Sequence, residues 1–208
     1  MPDITLIIPG FLGSGPDHWQ TWMESRVKGA RRVTGIDWEA PILDDWAAAV
    51  RRELMQAADP VWLVAHSFGC LATIAATQGL AHRIAGAMLV APPDPDWFTP
   101  LGLRPDAPDT ADTLASVLPR RDLGISSLVV ASSNDPWMPI EKLIGWSASW
   151  GSRLINIGNA GHINTDAGFG PWPAGLELFR SLQTMSESDR TPNQLMVSSF
   201  SEIASGDF

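Results

Sequence analysis

Five short apolar runs stand out along the chain: residues 4–8 (ITLII), 61–65 (VWLVA), 86–90 (GAMLV), 128–131 (LVVA) and 153–157 (RLINI). A sixth, residues 33–37, is weaker. Most are continuously apolar. A strand with water on one face alternates, so continuous runs of this length predict strands buried on both faces, as in a parallel sheet covered by helices. The segments between them carry helical spacing. In residues 44–58, Trp46, Val50 and Leu54 fall on one face and Arg51, Arg52 and Glu53 lie off it, with Asp44 as the expected N-cap. Residues 17–29 predict a second helix, capped by Asp17 and stopped by Gly29. Residues 68–78, 139–150 and 173–183 are the others, the last with proline in its first turn. Strand–helix alternation with short connections predicts an α/β fold: a sheet of about six parallel strands, helices on both faces, spatial order 2-1-3-4-5-6 and right-handed crossovers.

Two segments break the pattern. Residues 92–109 (PPDPDWFTPLGLRPDAPD) hold six prolines, which rules out a central strand or a regular helix. They follow a strand, so they are expected over the edge of the sheet where α/β proteins build their sites. Residues 185–208 are rich in serine and acidic residues with little periodicity, and read as a flexible tail after a single domain spanning 1–184. A chain of 208 residues is long enough for one domain with a sizeable core. Its net charge of −9 disfavours nucleic acid and anionic membrane as partners. The start, MPDITLIIPG, lacks the basic region and the apolar length of a signal peptide, and no stretch approaches a membrane span. Cys70 is the single cysteine, so no intrachain disulfide forms, which suits a cytoplasmic location.

The chemistry centres on Ser67, in the frame A-H-S-F-G. A nucleophile elbow, G-x-S-x-G, places its serine on a tight turn from strand to helix, where the residues two before and two after must be small. Ala65 and Gly69 meet that requirement, with VWLVA before and FGCLATIAATQ after. The competing reading is an ordinary helix-capping serine. A nucleophilic serine needs a base. Of four histidines, His162 lies in a glycine-rich loop after the last strand, at the carboxyl edge that Ser67 shares. His18 reads as an exposed or helix-packing residue, His66 as support for the turn, and His82 as a surface residue. The base in turn needs a carboxylate on its other nitrogen. Asp135, after the strand LVVA, is preferred, and Asp94 competes. The expected oxyanion donors are the backbone N–H of Phe68 and of Phe11, with Leu12 the near alternative to Phe11. Leu12, Trp97, Phe98 and Trp137 are expected to line the substrate pocket, and Trp172 lies close enough in sequence to join them.

A rival from another class sits in the first loop, where Gly10, Gly13 and Gly15 lie between a strand and a helix and Asp37 ends the following run. Their order is G-x-x-G-x-G, not the dinucleotide fingerprint G-x-G-x-x-G, and prolines flank it. No histidine or cysteine pair has zinc spacing, so neither a metal nor another cofactor is expected.

Taken together, "PGFLGSGPDHWQ", "VAHSFGC", "ASSNDPW" and "GNAGHINTDAGFGPWP" resemble the retinoblastoma-binding protein 9 / YdeN-like serine hydrolases over roughly residues 4–182. The resemblance implies a minimal α/β-hydrolase without a large cap domain, a triad at Ser67, Asp135 and His162, and activity on small esters or amino-acid amides. The expected partner is a small acyl substrate. That family also includes protein-binding members, so a binding role with little turnover is the alternative.

Overall fold

The computed structural model describes residues 4–106 and 111–190. Its elements in chain order are β1 (Thr5–Ile8), α1 (Trp19–Glu24), β2 (Ala30–Arg32), α2 (Leu43–Gln56), β3 (Val61–His66), α3 (Phe68–Thr77) and β4 (Ile84–Val90). There follow a two-residue hairpin, β5 (Phe98–Thr99) and β6 (Gly102–Leu103), then β7 (Ser127–Ala131), α4 (Ile140–Ser149), β8 (Arg153–Asn156) and α5 (Pro173–Arg190). Six strands form one sheet in the order β2-β1-β3-β4-β7-β8. All of its pairings are parallel. Counting only these six strands, the order is the expected 2-1-3-4-5-6.

Alternate residues of each strand feed two cores. Leu6, Ile8, Leu63, Ala65, Leu89 and Val129 pack beneath α2, α3 and α4, whose Trp46, Leu71 and Trp146 point at them. Ile7, Trp62, Val64, Met88 and Val130 face the other way, under Trp19 and Met23 of α1 and Phe179 of α5. Burial on both faces explains the unbroken apolar runs: neither parity of residue meets water.

Three expectations need correction. The second strand is Ala30–Arg32, not residues 33–37. It is an edge strand, only partly buried, and its arginines are held from the side: Arg31 pairs with Glu53 and Arg32 with Glu24. The caps also differ. α1 is capped by His18 rather than Asp17, and α2 starts at Leu43 with no side-chain cap, so Asp44 lies in its first turn, where its charge still favours the helix dipole. Finally, α5 passes the expected boundary at 184 and ends at Arg190. Ser186 is buried on it and donates to the Ala85 carbonyl at 3.0 Å. Residues 191–208, the rest of the expected tail, lie outside the described residues.

The proline-rich stretch forms neither a sheet strand nor a regular helix. It makes a short 3-10 turn at Pro95–Trp97, the β5–β6 hairpin and a second turn at Arg104–Asp106. Its described part, 92–106, is a strap over the carboxyl edge of the sheet, not a separate cap domain.

Candidate active site

One residue separates β3 from α3, and it is Ser67. Its backbone sits at φ 51° and ψ −129°, a conformation that costs a side-chain-bearing residue on the order of 1–3 kcal/mol. The surroundings hold it there. A Cβ on Gly69 would stand 2.3 Å from the Pro9 carbonyl oxygen, and one on Gly10 would stand 2.7 Å from the Ser67 Cβ. The end of β1 therefore presses on the turn at a distance that only glycine at these two positions permits. Ala65 is fully buried between Ile8 of β1 and Leu89 of β4, and its methyl group is part of the core.

Ser67 precedes α3 yet makes no capping bond. Its Oγ instead lies 2.8 Å from His162 Nε2. His162 Nδ1 lies 2.9 and 3.0 Å from the two carboxylate oxygens of Asp135. Asp135 Oδ1 also accepts the Trp137 N–H at 2.9 Å, and the Asp135 side chain is 3% exposed. The competitor Asp94 is engaged elsewhere. It caps the turn at residue 95 and pairs with Lys142 at 2.6 Å.

The His162 loop is pinned from below. His66 Nε2 lies 2.9 Å from the His162 carbonyl, and the Trp19 indole donates to the Ile163 carbonyl at 2.8 Å. Between these anchors Ile163 takes φ 49°, one of four non-glycine positions at positive φ among the described residues, with Leu12, Ser67 and Ala91. His66 thus supports the turn, as expected, by gripping its partner. Burial, and secondarily the nearby His162 and His18, push the His66 imidazole well below the usual histidine range. It is neutral at pH 7 and donates from Nε2 to that carbonyl.

His82 is exposed, as expected, but His18 is not. It is 5% exposed and caps α1 by accepting the Gln20 N–H on Nδ1 at 3.1 Å. Burial, then the positive Arg32, then His162 lower its pKa to about 4. Gln20 beside it is wholly buried, joined to Ser14 Oγ and to the carbonyls of Ile8 and Val64, so it ties the first loop to β1 and β3. Nothing in the local sequence distinguishes these two polar residues from surface ones. Their burial comes from packing of α1 against β1, β3 and His66, contacts that form only in the folded chain.

Phe68 opens α3, so its N–H has no acceptor within the helix. Among the described residues Phe11 N–H has no acceptor either. Leu12 is the poorer alternative, because its N–H already donates to the Trp38 carbonyl at 2.8 Å. A cavity of about 350 Å³ opens over Ser67 and His162. Leu12, Phe98 and Trp137 line it as expected, and Phe11, His18 and residues 164–166 line it as well. Trp97 does not. It is 47% exposed and rests edge-on against Trp137 outside the cavity. Trp172 is buried against Trp19.

The first-loop glycines serve this site. Gly10 makes room for Ser67, Gly13 takes φ 76° beside Trp38, and α1 starts only at Trp19, too late for the loop to deliver a phosphate to its first turn. Among the described residues no group of three or more His, Cys, Asp or Glu side chains is placed to hold a metal ion, and no helix is long and apolar enough to cross a membrane.

Comparison with known proteins bears on the family and the fold. The model of the serine hydrolase family matches residues 5–181. A search of curated proteins finds no match in sequence. Among solved structures, a YdeN-like hydrolase from Pectobacterium atrosepticum is 36% identical, with a TM-score of 0.74 over 88% of this chain and 91% of that one. The ydeN gene product of B. subtilis is 21% identical, with a TM-score of 0.68 over 88% of this chain and 99% of that one. Est1E from Butyrivibrio proteoclasticus, solved with ferulic acid bound, shares the fold at 17% identity, with a TM-score of 0.61 over 89% of this chain and 88% of that one. A sheet of this order, with a serine on the turn after its third strand and a family match over most of the length, places the chain in the serine hydrolase family, with the α/β-hydrolase fold.

Proposed function

We propose that the protein hydrolyses a small ester, thioester or amide through an acyl-enzyme on Ser67. The observation that carries this reading is the continuous contact from Ser67 Oγ to His162 Nε2 and from His162 Nδ1 to the Asp135 carboxylate. Ser67 Oγ attacks the substrate carbonyl carbon and gives its proton to His162 Nε2. Asp135 fixes the Nδ1–H tautomer and stabilises the imidazolium that forms. The N–H groups of Phe11 and Phe68 receive the oxyanion, the latter at the positive end of α3. As the tetrahedral adduct collapses, His162 returns the proton to the departing oxygen, sulfur or nitrogen. Water then attacks the acyl-serine, passes a proton to His162, and releases the carboxylic acid as Ser67 Oγ regains its hydrogen. The apolar side of the cavity, Phe98 and Trp137 above all, suits an apolar acyl group.

A fluorophosphonate probe tests the reading directly. Wild type should be labelled at Ser67, and Ser67→Ala should not. Labelling that persists in Ser67→Ala, or a wild type that stays unlabelled, would overturn it.

A further inference from the structure

The mechanism above gives no task to His18, a buried polar residue of the cavity. His18 Nδ1 accepts the Gln20 N–H, so in the neutral ring the proton is on Nε2. Among the described residues Nε2 has no partner, and no buried side-chain nitrogen or oxygen lacks one. Nε2 therefore meets open space, and the space that this 5%-exposed residue borders is the cavity over Ser67 and His162. The capping bond fixes the ring, and the low pKa keeps it uncharged at neutral pH. The result is a rigid, neutral N–H donor on a buried residue, open to the cavity that holds the reacting groups.

The lining of the cavity is mixed: Phe98, Leu103 and Trp137 give it apolar surface, and His18, Thr165 and Asp166 give it polar surface. Residues 165 and 166 directly follow the His162 loop. His162 must hand its proton to the leaving atom, so the leaving group lies beside His162, and the rings of His18 and His162 both pack against that of His66, at 4.9 and 5.0 Å.

We propose that His18 Nε2–H binds an oxygen of the leaving alcohol, and that this makes the site selective for esters of neutral, hydroxylated alcohols. The inference rests on the hydrolase reading above. A hydroxyl group is the fitting partner because it can accept from His18 and donate to a carboxylate such as Asp166. An anionic leaving group would face Asp166 and the net charge of −9. An ammonium group has no lone pair to offer His18.

Two substitutions separate this role from the capping one. The Oδ1 atom of asparagine stands where His18 Nδ1 stands, so His18→Asn keeps the cap and loses the distal donor. The Nε2 atom of glutamine stands where His18 Nε2 stands, so His18→Gln keeps the donor and loses the cap. The substrates are 1-butyrylglycerol and n-propyl butyrate, which differ in the two hydroxyls of the alcohol.

Wild type should prefer the glyceryl ester. His18→Asn should lose about five- to tenfold in kcat/KM on that ester alone, the scale of one neutral hydrogen bond, with an unchanged Tm. His18→Gln should retain most of the preference at a lower Tm. Equal losses on both esters, an unaltered ratio in His18→Asn, or a labelled wild type that cleaves neither ester would overturn the inference while leaving the nucleophile intact. A wild type that the fluorophosphonate does not label overturns the hydrolase reading and this inference with it.

Discussion

Ser67 holds its strained conformation because its neighbours are small in different ways. Gly69 has no alternative: a methyl group there meets backbone oxygens of Pro9 and Ile8, which cannot swing aside. Gly69→Ala should therefore cost about 1–3 kcal/mol and reduce fluorophosphonate labelling, since overpacking is relieved by moving the backbone that carries Ser67. Denaturant midpoint and labelling rate check this together, and a midpoint equal to wild type would contradict it. Ala65 is another matter. Many elbows have glycine there, but here the methyl group fills core space between β1 and β4. Ala65→Gly should lower stability by about 1 kcal/mol, from lost burial and greater freedom of the unfolded chain, and should not speed labelling. A variant that labelled several-fold faster would show that alanine strains the elbow rather than fitting it.

At the scale of elements, the parts legible in the sequence are those whose surroundings repeat. β1, β3, β4 and β7 are covered on both faces, so each is written as an apolar run, and Ser67 and Asp135 stand at one edge because they follow such runs; His162 follows β8, an edge strand that is only partly buried. β2 falls before the apolar run at 33–37 because an edge strand has fewer buried positions, and its arginines are paired from the side by Glu24 of α1 and Glu53 of α2. Residues 92–106 take their place from partners far along the chain, which no local pattern records. Their position is set by Lys142 on α4, which pairs with Asp94 at 2.6 Å and Asp96 at 2.5 Å, and by Asp94 N–H donating to the Trp137 carbonyl. That latch turns Phe98 inward, where it is 3% exposed against Phe68, and leaves Trp97 outside. Phe98→Ala should accordingly change the ranking of p-nitrophenyl esters by acyl length, measured as kcat/KM across the series. Trp97→Ala should leave that ranking alone. A shift with Trp97→Ala and none with Phe98→Ala would mean that the strap sits differently over the bound acyl chain.

Across the whole molecule, the two buried imidazoles couple folding to pH. His18 titrates near 4 in the folded protein and near 6.5 when unfolded, and burial holds His66 well below its ordinary value too. Between those limits the unfolded chain binds more protons than the folded one, so stability rises with pH in that window. It is fully present above 6.5 and is lost as pH falls toward 4, by roughly 2–3 kcal/mol from His18 alone. The carboxylates act in the same direction but lower. Asp96 is held below the usual aspartate range, chiefly by its hydrogen bond to Lys142, so it protonates below the histidine window. The upper part of the window therefore belongs to histidine. Denaturant midpoints at pH 7, 6 and 5 should fall steadily in wild type and more shallowly in His18→Asn, which keeps the cap but has nothing to titrate. Parallel curves for the two proteins would mean that His18 is readily protonated in the folded state, and the fixed neutral donor assigned to it would then be lost at mildly acid pH.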